Sequence, residues 1–501
     1  MLVVAAAVAA QLALPLGAPA SKAVSRAPKM RAQVYEAGTF TRRTLNWRAP
    51  TTGANTSLLN NLQTLRDRSR LAIRNDGYAK GVIDKLVSNI VGTGIKPLSK
   101  ATEAEFRAAV QDLWLRWTDE SDADGVLDWY GQEAQAVRCW LEAGEVFVRL
   151  RGRLPEDGMT VPLQAQVIEP ELCPHTYSGV GPTGNRIRAG IEFDPIGRRT
   201  AYYFFAQRPG DLNDWDPGDL RRVPADSVIH VFDPLRAGQI RGLPHLTQAL
   251  LKLWELDKFD DATLLRQQLS NLFAGFLKRP SGDLNAEVNP LTGLTPDGSR
   301  DGRDVVSMEA GTFQELAPGE EVEFSEPPDP PLTYPSFMKQ QLMSVAAATG
   351  VPYEVLTGDM VGLNDRVMRV ILHEFRRGIV AKQFHIVAFQ LCCPVWKAWM
   401  DRVVLSGALP IPAAAYAKDP SPWADVKWMP QGWPYIHPVQ DVQAAERAIR
   451  AGFTSRSAVV SEQGEDSEVI DQEQADDNKR ADGLGLTYES DGRKPLAAAG
   501  A

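Results

Sequence analysis

No nucleotide cradle is encoded in this sequence. The pattern G-x-x-x-x-G-K-[ST], whose backbone amides would hold ATP phosphates, is absent. So is G-x-S-x-G, the elbow that presents a serine nucleophile. Six histidines occur, His175, His230, His245, His373, His385 and His437, and no two make the H-E-x-x-H of a zincin helix. The four cysteines, Cys139, Cys173, Cys392 and Cys393, include no C-x-x-C pair. A disulfide framework is not expected from them, which suits a reducing compartment. Basic excess is missing too. The net charge is −9 and the pI about 5.4, which argues against a broad surface built to grip phosphates. Together these absences lower the expectation of an enzyme, and no catalytic residue, cofactor or metal ligand is assigned.

What is present is ordinary for a globular chain. Apolar residues make up 44% and charged residues 23%, so general disorder is excluded. At 501 residues, two or more structural regions are expected. The first twenty residues are apolar and end in Ala18-Pro19-Ala20, resembling a signal-peptide cleavage site. Against export, no Lys or Arg precedes the apolar run; the first is Lys22. Residues 1–40 are therefore expected to be a leader and basic arm without fixed structure. Arg26, Lys29, Arg31, Arg42 and Arg43 supply the arm's charge. The far end is the reverse, with Glu462 to Asp477 carrying eight acids and no base. Such runs are usually solvated faces or tails.

Periodicity divides the rest. Leu58 to Ile90 repeats at helical spacing and is stopped by Gly92-Thr93-Gly94. Helices are expected at 102–118 and, after Asp128, at 129–143. The period then changes to that of strands at 145–150, 161–168, 190–193, 200–205 and 228–232. Residues 243–272 carry a leucine stripe that predicts one helix about 45 Å long. Residues 273–332 are rich in Gly, Pro and Asp and end in Pro327-Pro328-Asp329-Pro330-Pro331. Helix is expected again at 335–349 and 364–404, then a Pro/Trp-rich patch at 410–438 and a C-terminal helix pair at 439–478. The class is α+β and helix-rich.

Isolated chemical signals have plainer explanations. His373 and Glu374 are neighbours on a helix and point in different directions. His175 beside Cys173 has no second Cys/His pair at ligand spacing. Trp114 with Trp117, and Trp396 with Trp399, sit on helix faces and are expected in the core. Trp423, Trp428 and Trp433 either staple an irregular segment or face a partner.

Several segments, in order, resemble the lambda-type phage portal proteins. They are Asn46 to Pro50, Arg74 to Ala79, Val91 to Ile95, Gln166 to Pro170 and Gly190 to Asp194. His230-Val231-Phe232 with Arg241-Gly242-Leu243-Pro244 follows, then Gly350 to Asp359, the most specific piece. Ile436-His437-Pro438 through Leu484-Gly485-Leu486 completes a collinear match from about residue 40 to 487. The apolar leader departs from the family, as does Gly362 to Arg366, which replaces a small Ser-rich turn.

The resemblance implies a ring of twelve copies at one capsid vertex, with wing, stem, clip and crown. Residues 41–242 would be an α+β wing, 243–272 and 333–349 stem helices, and 273–332 the clip. Residues 350–366 would form a channel-proximal loop, with Asp359, Asn364, Asp365 and Arg366 as its candidate residues. Residues 367–438 would return to the wing, 439–480 would form the crown, and 481–501 a tail without fixed structure. The implied partners are other copies of the chain, the terminase large subunit, the major capsid protein, a head-completion adaptor and double-stranded DNA, with no membrane. The implied location is the virion, with assembly in the host cytoplasm. Two other classes stay open on the residues alone: another minor capsid or adaptor protein, and a secreted hydrolase with a genuine leader.

Overall fold

The computed structural model describes residues 42, 46, 49–207, 219–271, 275–278, 321–324, 334–488 and 493. The chain divides after Thr52, and everything below concerns the unit Gly53–Ala501. The leader, most of the clip segment and nearly all of the tail beyond Tyr488 lie outside the described residues.

The expected first helix is three: α1 Ala54–Leu59, α2 Leu62–Asn75 and α3 Gly77–Ile90. Asp76 makes the second break. Its backbone is extended, and its Oδ1 accepts from the Tyr78 and Ala79 amides at 2.7 and 3.2 Å, starting α3 afresh. Strand β1, Lys96–Ser99, follows, then α4 Ala104–Thr118 and α5 Trp129–Ala143. Asp128 caps α5 by accepting from the Gly131 amide, and left-handed Gly144 ends it.

Strands β2 Glu145–Gly152 and β3 Leu163–Ile168 come next. Then come β4 Gly179–Val180, β5 Arg186–Arg188, β6 Ile191–Phe193, β7 Arg199–Phe204, β8 Arg221–Pro224 and β9 Val228–Phe232. They form an antiparallel three-stranded sheet, β3-β2-β9, and a five-stranded antiparallel meander, β4 to β8. Alternation on β2 sends Val146 and Val148 into the main core and Phe147 to the second. There Phe147 meets Tyr202 and Phe204 of the meander edge-on, at 5.5 and 5.3 Å between centroids.

The leucine stripe forms α6, Leu250–Asn271, about 33 Å long instead of about 45 Å. Residues 245–249 make turns instead, with bonds such as Thr247 N to the Pro244 carbonyl at 3.1 Å. Pro244 restricts the backbone before it, and Leu246 is buried with the main core. Short strands β10 Gly275–Lys278 and β11 Glu321–Phe324 pair antiparallel. Helix α7, Tyr334–Thr349, packs antiparallel on α6: Lys252 bonds Gln341, while Phe259 lies 4.9 Å from Phe337 and 6.0 Å from Tyr334.

After α8, Tyr353–Thr357, one continuous helical run spans Asp365 to Ser406 in three parts. These are α9 Asp365–Lys382, a π-helical stretch Gln383–Cys392 and α10 Cys393–Ser406. Pro394 has no amide to donate and crowds the preceding turn, and the ladder widens to i→i+5 just before it. By length and composition this run could cross a membrane. One face of it fills the protein's own core: Trp396 and Trp399 each lie 5.1 Å from Trp114 between centroids. Trp117 joins from α4, its indole donating to the Leu163 carbonyl at 2.8 Å. The tryptophan pairs are core, as expected.

The Pro/Trp-rich patch contains α11 Ala413–Lys418, α12 Ser421–Ala424 and β12 Val426–Met429. β12 pairs antiparallel with β1, more than 300 residues earlier. Trp428 is buried and Trp423 and Trp433 pack partly against the core, so all three staple this segment. The C-terminal region has three helices rather than two: α13 Pro438–Arg450, α14 Arg456–Glu462 and α15 Ser467–Leu484.

Candidate functional site

Between α7 and α9 the chain makes a loop with a pinned base and an exposed tip. Gly350 and Gly358 both adopt positive φ, which lets the backbone turn sharply at the end of α7 and after α8. Asp359 ties the base. Its Oδ2 accepts from the Tyr353 hydroxyl at 3.0 Å and from Lys339 Nζ at 3.2 Å, and its Oδ1 accepts from the Val361 amide at 3.1 Å. The Val361 amide bond and the Lys339 ammonium hold its pKa below the usual carboxylate value. The Lys339 ammonium also sits 5.2 Å from the Tyr353 ring centroid. Beyond this base, Met360 is 49% and Val361 85% exposed.

The other loop candidates are spread over the next turn. Asn364 caps α9, its side-chain oxygen accepting from the Val367 amide at 2.9 Å. Asp365 pairs with His437 Nε2 at 2.6 Å, tying α9 to the start of α13. Arg366 is exposed at the first turn of α9. Three of the four thus serve internal contacts, and the side chains presented outward at the tip are apolar.

A buried ionic cluster escaped the sequence reading. Glu145, at the start of β2, receives four donors. Arg66 from α2 and Arg241 Nε, at 2.6 Å, reach Oε1; His230 Nε2 and the Gly242 amide reach Oε2 at 2.8 and 2.9 Å. Arg66, Arg241 and His230 are all buried. Burial alone would raise the Glu145 pKa, but the guanidiniums of Arg241 and Arg66 and the His230 bond hold it well below the usual range. Burial pushes the His230 pKa down to about 4, so the neutral ring donates to Glu145. Arg241 reaches on to the carbonyls of Ala189, at 2.7 Å, and Cys173, at 3.0 Å. Ala189 holds a left-handed backbone, φ 52°. Glycine is required where the two chain segments cross: a Cβ on Gly242 would stand 1.9 Å from the Gly144 carbonyl oxygen. No local signal joins residues 66, 145, 230 and 241; only folding does.

A second buried carboxyl has no base facing it. Glu133 on α5 accepts from the Ile95 amide at 2.9 Å and faces Cys392 Sγ at 3.4 Å. Burial raises its pKa from 4.5 to about 8. The folded state therefore holds a proton that the unfolded chain releases above pH 4.5. This stability is complete below about pH 4.5 and is lost as pH rises through about 8, by up to about 1.4 kcal/mol per pH unit in between. Glu133→Gln is expected to remove that slope and to exceed the native protein's stability at pH 8. Urea midpoints of both proteins at pH 5, 6.5 and 8 check this; a constant gap between them would contradict it.

Among the described residues no group of three or more His, Cys, Asp and Glu side chains is placed to hold a metal, and all four cysteines are free. His373 and Glu374 share no hydrogen bond among the described residues, and Glu374 pairs with Arg377 instead.

Comparison with known proteins gives one consistent pattern. Residues 40–383 match the family model described as phage portal protein, lambda family. The chain is 27% identical over 444 residues to the probable portal protein of Halomonas phage phiHAP-1, covering 85% of this chain and 82% of that one. It is 21% identical over 477 residues to portal protein B of Escherichia phage lambda, covering 88% of each. Among solved structures, a chain from the neck of a native gene transfer agent particle, computed with C12 symmetry, overlays 83% of this chain and 95% of that chain. The identity is 14% and the TM-score 0.44.

Proposed function

Since this chain belongs to the lambda family of phage portal proteins, we propose that copies of it close into a ring, twelve by the family's pattern, whose channel passes double-stranded DNA at one capsid vertex. The match to the portal model over 40–383 carries this reading. In it, α6 and α7 are the stem, the sheets and the 365–406 run belong to the wing, 273–332 is the clip and α13 to α15 are the crown. The clip would dock the terminase during packaging and a head-completion protein afterwards, while the wing meets the capsid shell. The protein's work is then mechanical: ATP hydrolysis would fall to the terminase.

The 350–366 loop suits a sliding contact. Strong phosphate contacts have a large, salt-dependent cost to break, so a conduit should offer weak ones. The loop presents Met360 and Val361 at its tip and keeps Asp359 bonded inward. Twelve copies of a modest contact still guide a duplex by repetition. In a phage or prophage lacking this gene, the native protein is expected to restore DNA-filled heads. Asp359→Ala, which unpins the loop base, is expected to restore heads of normal shape with less packaged DNA, measured by particle density and DNA content. Equal DNA content in both would remove the loop from the conduit.

A further inference from the structure

The sheet layer carries an arginine cluster for which a sliding channel has no use. Arg149 and Arg151 follow Phe147 on one face of β2, and Arg153 continues the row past the strand's end. At about 3.3 Å of rise per residue, alternate positions lie roughly 6.6 Å apart. Arg221 joins from β8, its guanidinium beside that of Arg149.

Nothing acidic answers these four. Among the described residues, Arg149 and Arg221 make no side-chain hydrogen bond or ion pair. Arg151 and Arg153 bond only to the amide oxygens of Gln166 and Gln164 on β3, and Arg151 Nε is buried without a partner. Arg149 is held below the ordinary arginine pKa by partial burial and by the guanidiniums of Arg151 and Arg221 beside it. Arg66, Arg70, Arg107, Arg138 and Arg222, by contrast, each meet a carboxylate. In a chain of net charge −9, such an unanswered group marks a place for an anion supplied from outside.

We propose that this arginine row binds the phosphate backbone of duplex DNA, at a surface separate from the 350–366 loop. The identity of the polyanion rests on the portal reading; the site itself rests on the row. A regular row of planar guanidiniums suits a regular polyanion, since each fork takes one phosphate. An acidic protein partner fits less well, because protein interfaces draw most of their affinity from buried aromatic or aliphatic anchors. What this row presents is guanidiniums and amides.

The test uses the assembled full-length protein and a covalently closed duplex circle, which cannot thread a closed ring and so reports surfaces outside the channel. Binding is measured by anisotropy from 50 to 300 mM salt. For R149Q/R151Q/R221Q, the slope of log K against log salt is expected to shrink by about 0.9 per arginine removed in each engaged protomer. Rings should remain intact by electron microscopy. If the triple variant does not fold, R221Q alone, at an exposed position, should lower the slope by about 0.9. An unchanged slope overturns the proposal, as does wild-type protein that ignores closed circles at 50 mM salt. A variant that binds circles normally but fails to join capsid shells also overturns it, assigning the row to an acidic protein surface. Because the row lies within one protomer, the slope comparison decides the proposal even if no rings form; the absence of rings would count only against the portal reading.

Discussion

Arg241→Met is expected to destabilise the protomer by about 3–5 kcal/mol, the usual cost of breaking a buried ion pair by removing one partner. Three groups lose their donor at once. Glu145 keeps Arg66 and His230 but loses the 2.6 Å bond from Arg241 Nε, and the Ala189 and Cys173 carbonyls lose theirs inside the protein. Ala189 then holds a left-handed backbone with less to fix it. Glu145→Gln should cost a similar amount, because two buried guanidiniums lose their counter-charge. Replacing all three charges with apolar residues, as Glu145→Leu, Arg66→Met and Arg241→Met, should recover much of the loss, since a buried ionic triad is often no more stable than a well-packed apolar one. Urea denaturation at fixed protein concentration distinguishes these outcomes. Loss below 1 kcal/mol in the single variants would mean that the cluster holds nothing together.

The same cluster predicts acid sensitivity. A histidine whose pKa is depressed to about 4 contributes stability that is present above its unfolded value of 6.5. That contribution is lost as pH falls from there towards 4. The Glu145 carboxylate, held low by its partners, acts in the same direction at lower pH. His230→Gln should lessen the loss between pH 6.5 and 4.

Much of the fold was legible because its signals are local. Asp128 and Gly144 bound α5 as a cap and a stop should, and Val228 to Phe232 is a strand at the expected residues. What was not legible depends on pairs distant in sequence. β1 contains Pro97, and its partner β12 lies in a segment dominated by Pro and Trp, so neither looks like a strand by itself. The π-helical turns around Gln383 to Cys392 keep an apolar pattern close to helical and leave no local mark except Pro394. The ionic cluster has the same character. Its sequence trace is Arg241-Gly242, a segment that carried the family resemblance. The structure gives the physical reason: Arg241 bonds Glu145, and Gly242 leaves room for the Gly144 carbonyl. For the 350–366 loop, the sequence pointed to polar side chains; in the fold Asp359 and Asn364 bond back to the chain, Arg366 is exposed, and Met360 and Val361 are exposed beside them.

The second large effect concerns assembly. On α6, Leu251 is 73%, Leu264 59% and Leu265 56% exposed, and Trp254 is half exposed. A surface helix of a lone protomer has no reason to carry so many large apolar side chains in the open. Full burial of a leucine against a neighbour contributes about 1.5–3 kcal/mol, and a ring repeats the contact at every joint. Leu264→Asp with Leu265→Asp is therefore expected to leave the protomer folded, with circular dichroism and thermal midpoint close to native, while abolishing rings in sedimentation velocity. Rings that persist in this variant would place the subunit interface elsewhere.

The most direct measurement is electron microscopy of the purified native protein at high concentration and physiological salt, with class averages along the symmetry axis. A portal subunit predicts closed rings of one size, twelvefold by the family's pattern, around an open central channel. A field of monomers under those conditions would contradict it.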